Sequence, residues 1–77
     1  MPHVIIKLWP GRTEEQKVAL SEKITEALID TINVPDSSIS VAIEEIPKEK
    51  WKEMVQDPDI IGKKDLLYKK PPDNLSE

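Results

Sequence analysis

Residues 3–9, HVIIKLW, carry β-branched and aromatic side chains in a run that predicts a strand. Val4, Ile6 and Leu8 share one face; His3, Ile5, Lys7 and Trp9 share the other. Pro10-Gly11 ends the run. TEEQ follows, with Thr13 placed as N-cap and Gln16 reaching back three residues later, a capping box that opens a helix from Glu14 to Ile32. At 100° per residue, Leu20, Ile24, Ala27 and Leu28 form one apolar stripe. Val18, Ile29 and Ile32 lie well round from it, more apolar surface than a two-stranded sheet covers, so the helix predicts a partner subunit. NVPDSS reads as a turn. SISVAIEEI predicts a second strand, with Ile39, Val41 and Ile43 facing one way and Ser40, Ala42 and Glu44 the other.

Strand, helix and strand make a β-α-β unit with parallel strands and a right-handed crossover, which predicts an α+β protein. Two strands do not stand alone. A second copy lying edge to edge gives a four-stranded sheet with helices on one face. Past this unit, Pro47 suits the first turn of a short helix that carries Trp51, Met54 and Val55 on one side. Asp57 and Pro58 predict a second N-cap and a last helix from Asp59 to Tyr68, closed by Pro71-Pro72. The whole reads as a single domain 1–77, with a core at 2–51, a helical extension at 52–72 and a tail at 73–77.

Composition narrows the function. The 77 residues hold no cysteine, so no disulfide braces the core and no thiolate serves as nucleophile or metal ligand. Chains this short without a staple gain stability by oligomerising. The net charge of −4 with 34% charged residues argues against nucleic acid, whose binders present a basic face. No apolar run is long enough to span a membrane. No basic-then-apolar leader precedes the first strand, and the expectation is a cytoplasmic protein.

No glycine-rich phosphate loop is present. His3 is the only histidine, so no histidine-rich metal site can be built and none is expected. A serine–histidine–carboxylate set finds no support, because His3 would have to serve a serine from the far end of the domain. Acid–base chemistry is left to carboxylates, lysines or the terminus. Pro2 is the unusual candidate. Removal of Met1 would convert its nitrogen from an amide to a secondary amine, a group that titrates near or somewhat above pH 8. An apolar site and nearby cations push that value down, toward a base that can take a proton and return it. Arg12, the sole arginine, stands just past Gly11, and a guanidinium binds a carboxylate bidentately. Trp51 can wall a pocket and donate its indole N–H, or serve as core. Lys7 and Glu44 are expected on the solvated or interfacial side of the sheet.

Taken in order, proline after methionine, a short apolar strand, GR followed by TEEQK, one long helix, P-x-S-S-I-S-V and EEIPKEKW resemble the 4-oxalocrotonate tautomerase family. The likeness runs from Pro2 to Trp51. The PH start, Trp51 and the long C-terminal part resemble the branch of dimeric phenylpyruvate-type tautomerases more than the shortest hexameric members. The resemblance implies a β-α-β unit whose four-stranded sheet is completed across a dimer. It implies Pro2 as general acid and base, Arg12 as the carboxylate-binding residue, and Trp51, in place of the usual phenylalanine, as the pocket wall. It implies no cofactor. Where such members carry a second substrate-binding arginine in strand two, this chain has Ser40, which cannot replace a bidentate fork. The expected substrate is therefore an enol or keto monocarboxylate, such as an aryl pyruvate, and the expected assembly is a homodimer, with a hexamer as the alternative. A non-catalytic oligomeric module that binds a protein partner, and a dehalogenase or hydratase using the same amine, remain open at this stage.

Overall fold

The computed structural model describes residues 1–71; Pro72 and the predicted tail 73–77 lie outside the described residues. Strand β1 spans His3–Leu8, helix α1 spans Glu14–Ile32, and strand β2 spans Ser40–Glu45. The two strands are neighbours in one sheet. The Ser40 N–H donates to the Pro2 carbonyl (3.2 Å) and the Ile46 N–H to the Leu8 carbonyl (2.8 Å). Both bonds carry the same residue offset in the same direction, so the strands are parallel and unbroken by a bulge. This register sets His3 beside Ser40, Ile5 beside Ala42 and Trp9 beside Ile46.

The chain divides into two compact units. One comprises residues 1–6 and 11–44; the other comprises residues 7–10 and the chain from 45 onward. In the first, Gly11 has φ +125°, a conformation that side chains rarely adopt, and so turns the chain off β1 toward the helix. Thr13 then caps α1 as expected: its Oγ1 accepts from the Gln16 N–H (3.1 Å) while Gln16 Oε1 accepts from the Thr13 N–H (2.9 Å). Asn33, left-handed at φ 55°, closes the other end, its N–H donating to the Ile29 carbonyl. The helix bounds agree with expectation; its inward stripe does not. Lys17, Ser21, Ile24, Thr25, Leu28 and Ile29 are half-buried, whereas Leu20 and Ala27 are exposed. The stripe is rotated toward Ser21 and Thr25, and Thr25 makes this possible by donating its hydroxyl to the Ser21 carbonyl (2.9 Å). Val18 and Ile32 remain more than half exposed, as the surplus apolar surface predicted.

The second unit holds the two buried hydrophobic residues found among the described ones, Ile46 and Val55. Pro47 precedes a 3₁₀ turn at Lys48–Lys50 rather than opening an α-helix. From there a wide helix with π winding runs Lys52–Ile61, straight through Pro58. The predicted restart at Asp57 and the helix to Tyr68 are therefore not formed. Proline has no N–H to give and its ring collides with the carbonyl four residues back, so α winding fails there and the wider winding takes over. The wide helix stops at Gly62, whose N–H reaches the Asp57 carbonyl (2.8 Å) and where a Cβ would meet the Pro58 carbonyl oxygen at 2.7 Å. A 3₁₀ turn at Lys64–Leu66 follows. Among the described residues no helix is long and apolar enough to cross a membrane.

Candidate active site

Pro2 precedes β1 and is half-buried, held by the bond from the Ser40 N–H to its carbonyl. Met1 before it is fully exposed, and while Met1 is attached the Pro2 nitrogen is an amide. Ser40 stands next to this start of the strand. Its hydroxyl lies 2.6 Å from His3 Nδ1. The sequence reading left His3 without a serine; strand register supplies one from 37 residues away. That contact depends on which residue of β2 lies opposite which residue of β1, and no local motif encodes it.

Arg12 lies past the other end of β1, between Gly11 and the Thr13 cap, and is exposed. The strand between Pro2 and this turn has six residues and so spans about 20 Å at about 3.3 Å per residue. One chain therefore brings Pro2 and Ser40 together and keeps Arg12 apart from them. Two open grooves run along α1 in the first unit, one lined by Glu14, Lys17, Val18, Ser21, Glu22, Val41 and Ile43, the other by Ser21, Glu22, Thr25, Glu26, Ile29 and Asp36. Neither includes Pro2, Arg12 or Ser40.

Trp51, half-buried, belongs to the second unit. It meets Trp9 edge to face, with ring centroids 6.3 Å apart and planes at 88°. The Lys48 ammonium sits 4.9 Å above the Trp9 ring. Trp9 Nε1 is buried and has no hydrogen-bond partner among the described residues. Sequence reasoning treated Trp9 only as the end of a strand. The available signal was that the chain's two tryptophans each follow a strand, where aromatic residues cluster readily. In the same unit Lys7, expected to be solvated or interfacial, donates to Asp59 Oδ2, and Lys63 lies 3.7 Å from Asp59 Oδ1. The Lys7 hydrogen bond is the main reason the Asp59 carboxyl is held below its ordinary value; burial opposes it and the charges of Lys7 and Lys63 reinforce it. Among the described residues no cluster of three or more histidine, aspartate or glutamate side chains is placed to hold a metal ion.

Comparison with known proteins identifies the family. The sequence pattern of the family described as "Tautomerase enzyme" matches residues 2–56. Tautomerase PptA of Enterobacter sp. (strain 638) is 47% identical over 72 residues, covering 92% of this chain and 95% of that protein. The crystal structure of YwhB, a homologue of 4-oxalocrotonate tautomerase, superimposes with a TM-score of 0.60 at 47% identity, covering 61% of this chain and 77% of that one. A heterohexameric 4-oxalocrotonate tautomerase from Chloroflexus aurantiacus J-10-fl superimposes with a TM-score of 0.63 at 29% identity, covering 66% of this chain and 82% of that one. With a family pattern that matches residues 2–56, a relative 47% identical over 72 residues and solved tautomerase structures that share the β-α-β unit, the chain belongs to the 4-oxalocrotonate tautomerase family and is a tautomerase, an isomerase.

Proposed function

We propose that this tautomerase interconverts the enol and keto forms of a small 2-oxo monocarboxylate of the phenylpyruvate kind, independently of any cofactor, and that it works as a cytoplasmic homodimer. Pro2, once Met1 is removed, is the general acid and base. Arg12 clamps the substrate carboxylate. Trp51 walls the pocket and directs its indole N–H at the developing oxyanion. Ser40 lies beside Pro2 on the substrate's path.

The observation that carries the reading is the bond from the Ser40 N–H to the Pro2 carbonyl. It puts a serine, not an arginine, at the side of the acid–base residue. With Arg12 the sole arginine, the site offers one guanidinium for one carboxylate. An aryl pyruvate enol has one carboxylate and one further oxygen, on C2, and matches that inventory.

Two chains are needed to bring Arg12 to Pro2. A two-fold axis that joins identical edge strands pairs them antiparallel. The start of one β1 then lies near the end of the other, and the partner's Arg12 comes to the first chain's Pro2. The β1 edge suits this pairing better than the β2 edge, because β2 carries Glu44 and Glu45, charges of the kind that discourage edge pairing.

In the reaction the amine collects the proton leaving the enol oxygen. The O–H bonding pair becomes the C2=O π bond, the C2=C3 pair takes up a proton at C3, and the ammonium supplies it. Ketonisation of phenylenolpyruvate, followed by ultraviolet absorbance on protein whose intact mass shows loss of Met1, tests the reading. Pro2→Ala is expected to lower kcat by about 10²-fold or more, the usual worth of a general acid–base group. An unchanged rate would remove Pro2 from the chemistry.

A further inference from the structure

We infer that His3 is a further catalytic residue of this site, taking the proton from the substrate's C2 oxygen, and that Ser40 is its positioning residue. The inference rests on the proline mechanism proposed above. Its ground is geometric. His3 follows Pro2 directly in the chain, is exposed, and has Nδ1 2.6 Å from the Ser40 hydroxyl, while the Ser40 N–H holds the Pro2 carbonyl. One residue of β2 thus fixes both Pro2 and the chain's only histidine.

A hydroxyl both donates and accepts. With Ser40 Oγ accepting, the imidazole keeps its proton on Nδ1 and presents the lone pair of Nε2. The next side chains on this face of the two strands, Ile5 and Ala42, are apolar. The first charged ones, Lys7 and Glu44, lie two rows along, and Lys7 is engaged by Asp59. Ser40 is thus the polar partner that the strands supply to the ring. On the substrate side, Arg12 takes the carboxylate and the Trp51 indole N–H faces the C2 oxygen; a base that takes the enol proton in place of the Pro2 amine leaves Pro2 to serve C3 alone.

The proton count closes with His3 taking over from the Pro2 amine the removal of the enol proton, and Pro2 entering the cycle as the ammonium that serves C3. Nε2 takes the enol O–H proton, the O–H pair becomes C2=O, and the C2=C3 pair takes a proton from the Pro2 ammonium to form the C3–H bond. His3 is left as imidazolium, with Ser40 accepting from its Nδ1–H, and Pro2 is left as neutral amine. Transfer of one proton from the imidazolium to the amine restores both groups. The net change is one proton moved from oxygen to carbon.

The test uses phenylenolpyruvate and protein shown by mass to lack Met1. His3→Ala is expected to lower kcat by about 10²-fold with KM within about threefold of wild type, because a base acts in the transition state rather than in ground-state binding. Imidazole added to the buffer is expected to restore part of the rate of His3→Ala and none of the rate of Pro2→Ala. His3→Gln, which still hydrogen-bonds Ser40 but is no base, is expected to fall as far as His3→Ala. Ser40→Ala is expected to lose about tenfold in kcat and Ser40→Thr to regain it, since threonine returns the hydroxyl that orients the ring. A His3→Ala rate close to wild type, or one that imidazole does not raise, overturns the inference. If Pro2→Ala is inactive while His3→Ala is not, only the role of His3 falls; if Pro2→Ala keeps the wild-type rate, the underlying proline mechanism falls with it.

Discussion

Arg12 is one of eleven cationic side chains, and the other ten are lysines. The difference matters for a carboxylate. A planar guanidinium offers two parallel N–H donors, whereas an ammonium is a point charge on a flexible stem. Arg12→Lys is therefore expected to raise KM for phenylenolpyruvate by about tenfold, roughly 1.4 kcal/mol of lost binding, with a smaller change in kcat. Steady-state kinetics across substrate concentration measures both; an unaltered KM would place the carboxylate elsewhere. At this scale legibility depends on how local the signal is. The proposed roles of Pro2 and Arg12 draw on chain position: one follows a methionine, the other follows the glycine that turns off β1. Trp9 and His3 are not, because their meaning lies in what crosses to them. Trp9 meets Trp51 and Lys48, and His3 meets Ser40, over separations that only the folded register defines.

Elements repeat the lesson one level up. The limits of α1 are legible because the capping box and the left-handed Asn33 are short-range devices, complete within a few residues of each end. The rotation of its inward stripe toward Ser21 and Thr25 is not, because the hydroxyl of Thr25 can turn back onto the helix and cost little when half-buried. The C-terminal element departs from its sequence pattern for a definite reason. Asp57-Pro58 is a sound helix-start signal, but the chain widens its winding to carry Pro58 inside the helix Lys52–Ile61. That helix is fastened to β1 by Lys7 and Asp59. A carboxyl held below its ordinary value of 3.8 adds stability that is present above that value and is lost as pH falls through the lowered one. Asp59→Asn is accordingly expected to lower the melting temperature at neutral pH, and the gap to wild type is expected to close as pH drops below 3.8. Thermal denaturation at a series of pH values measures the gap; one that persists unchanged into strong acid would deny the ion pair its part in stability.

At the scale of the molecule, the described residues bury little apolar surface, which is what the proposed dimer would add to. Among the described residues only Ile46 and Val55 are buried hydrophobics, while Ile5, Val18 and Ile32 stay more than half exposed. A strand about 20 Å long also separates Pro2 from Arg12 within the chain. The proposed second copy, paired along β1, would answer both observations, covering apolar surface and closing the distance in the same step. Mixing two inactive variants tests this directly. In a heterodimer of Pro2→Ala with Arg12→Ala, one site combines the intact Pro2 of the second chain with the intact Arg12 of the first; the other site carries both substitutions. Random pairing makes half of the dimers hybrid with one working site each, so the mixture is expected to recover about a quarter of wild-type activity under two-fold symmetry. Subunits exchanged by denaturation and refolding together, assayed against each variant refolded alone, give the comparison. A site built within one chain would leave the mixture as inactive as its components, because no exchange of subunits could then reunite the proline with the arginine.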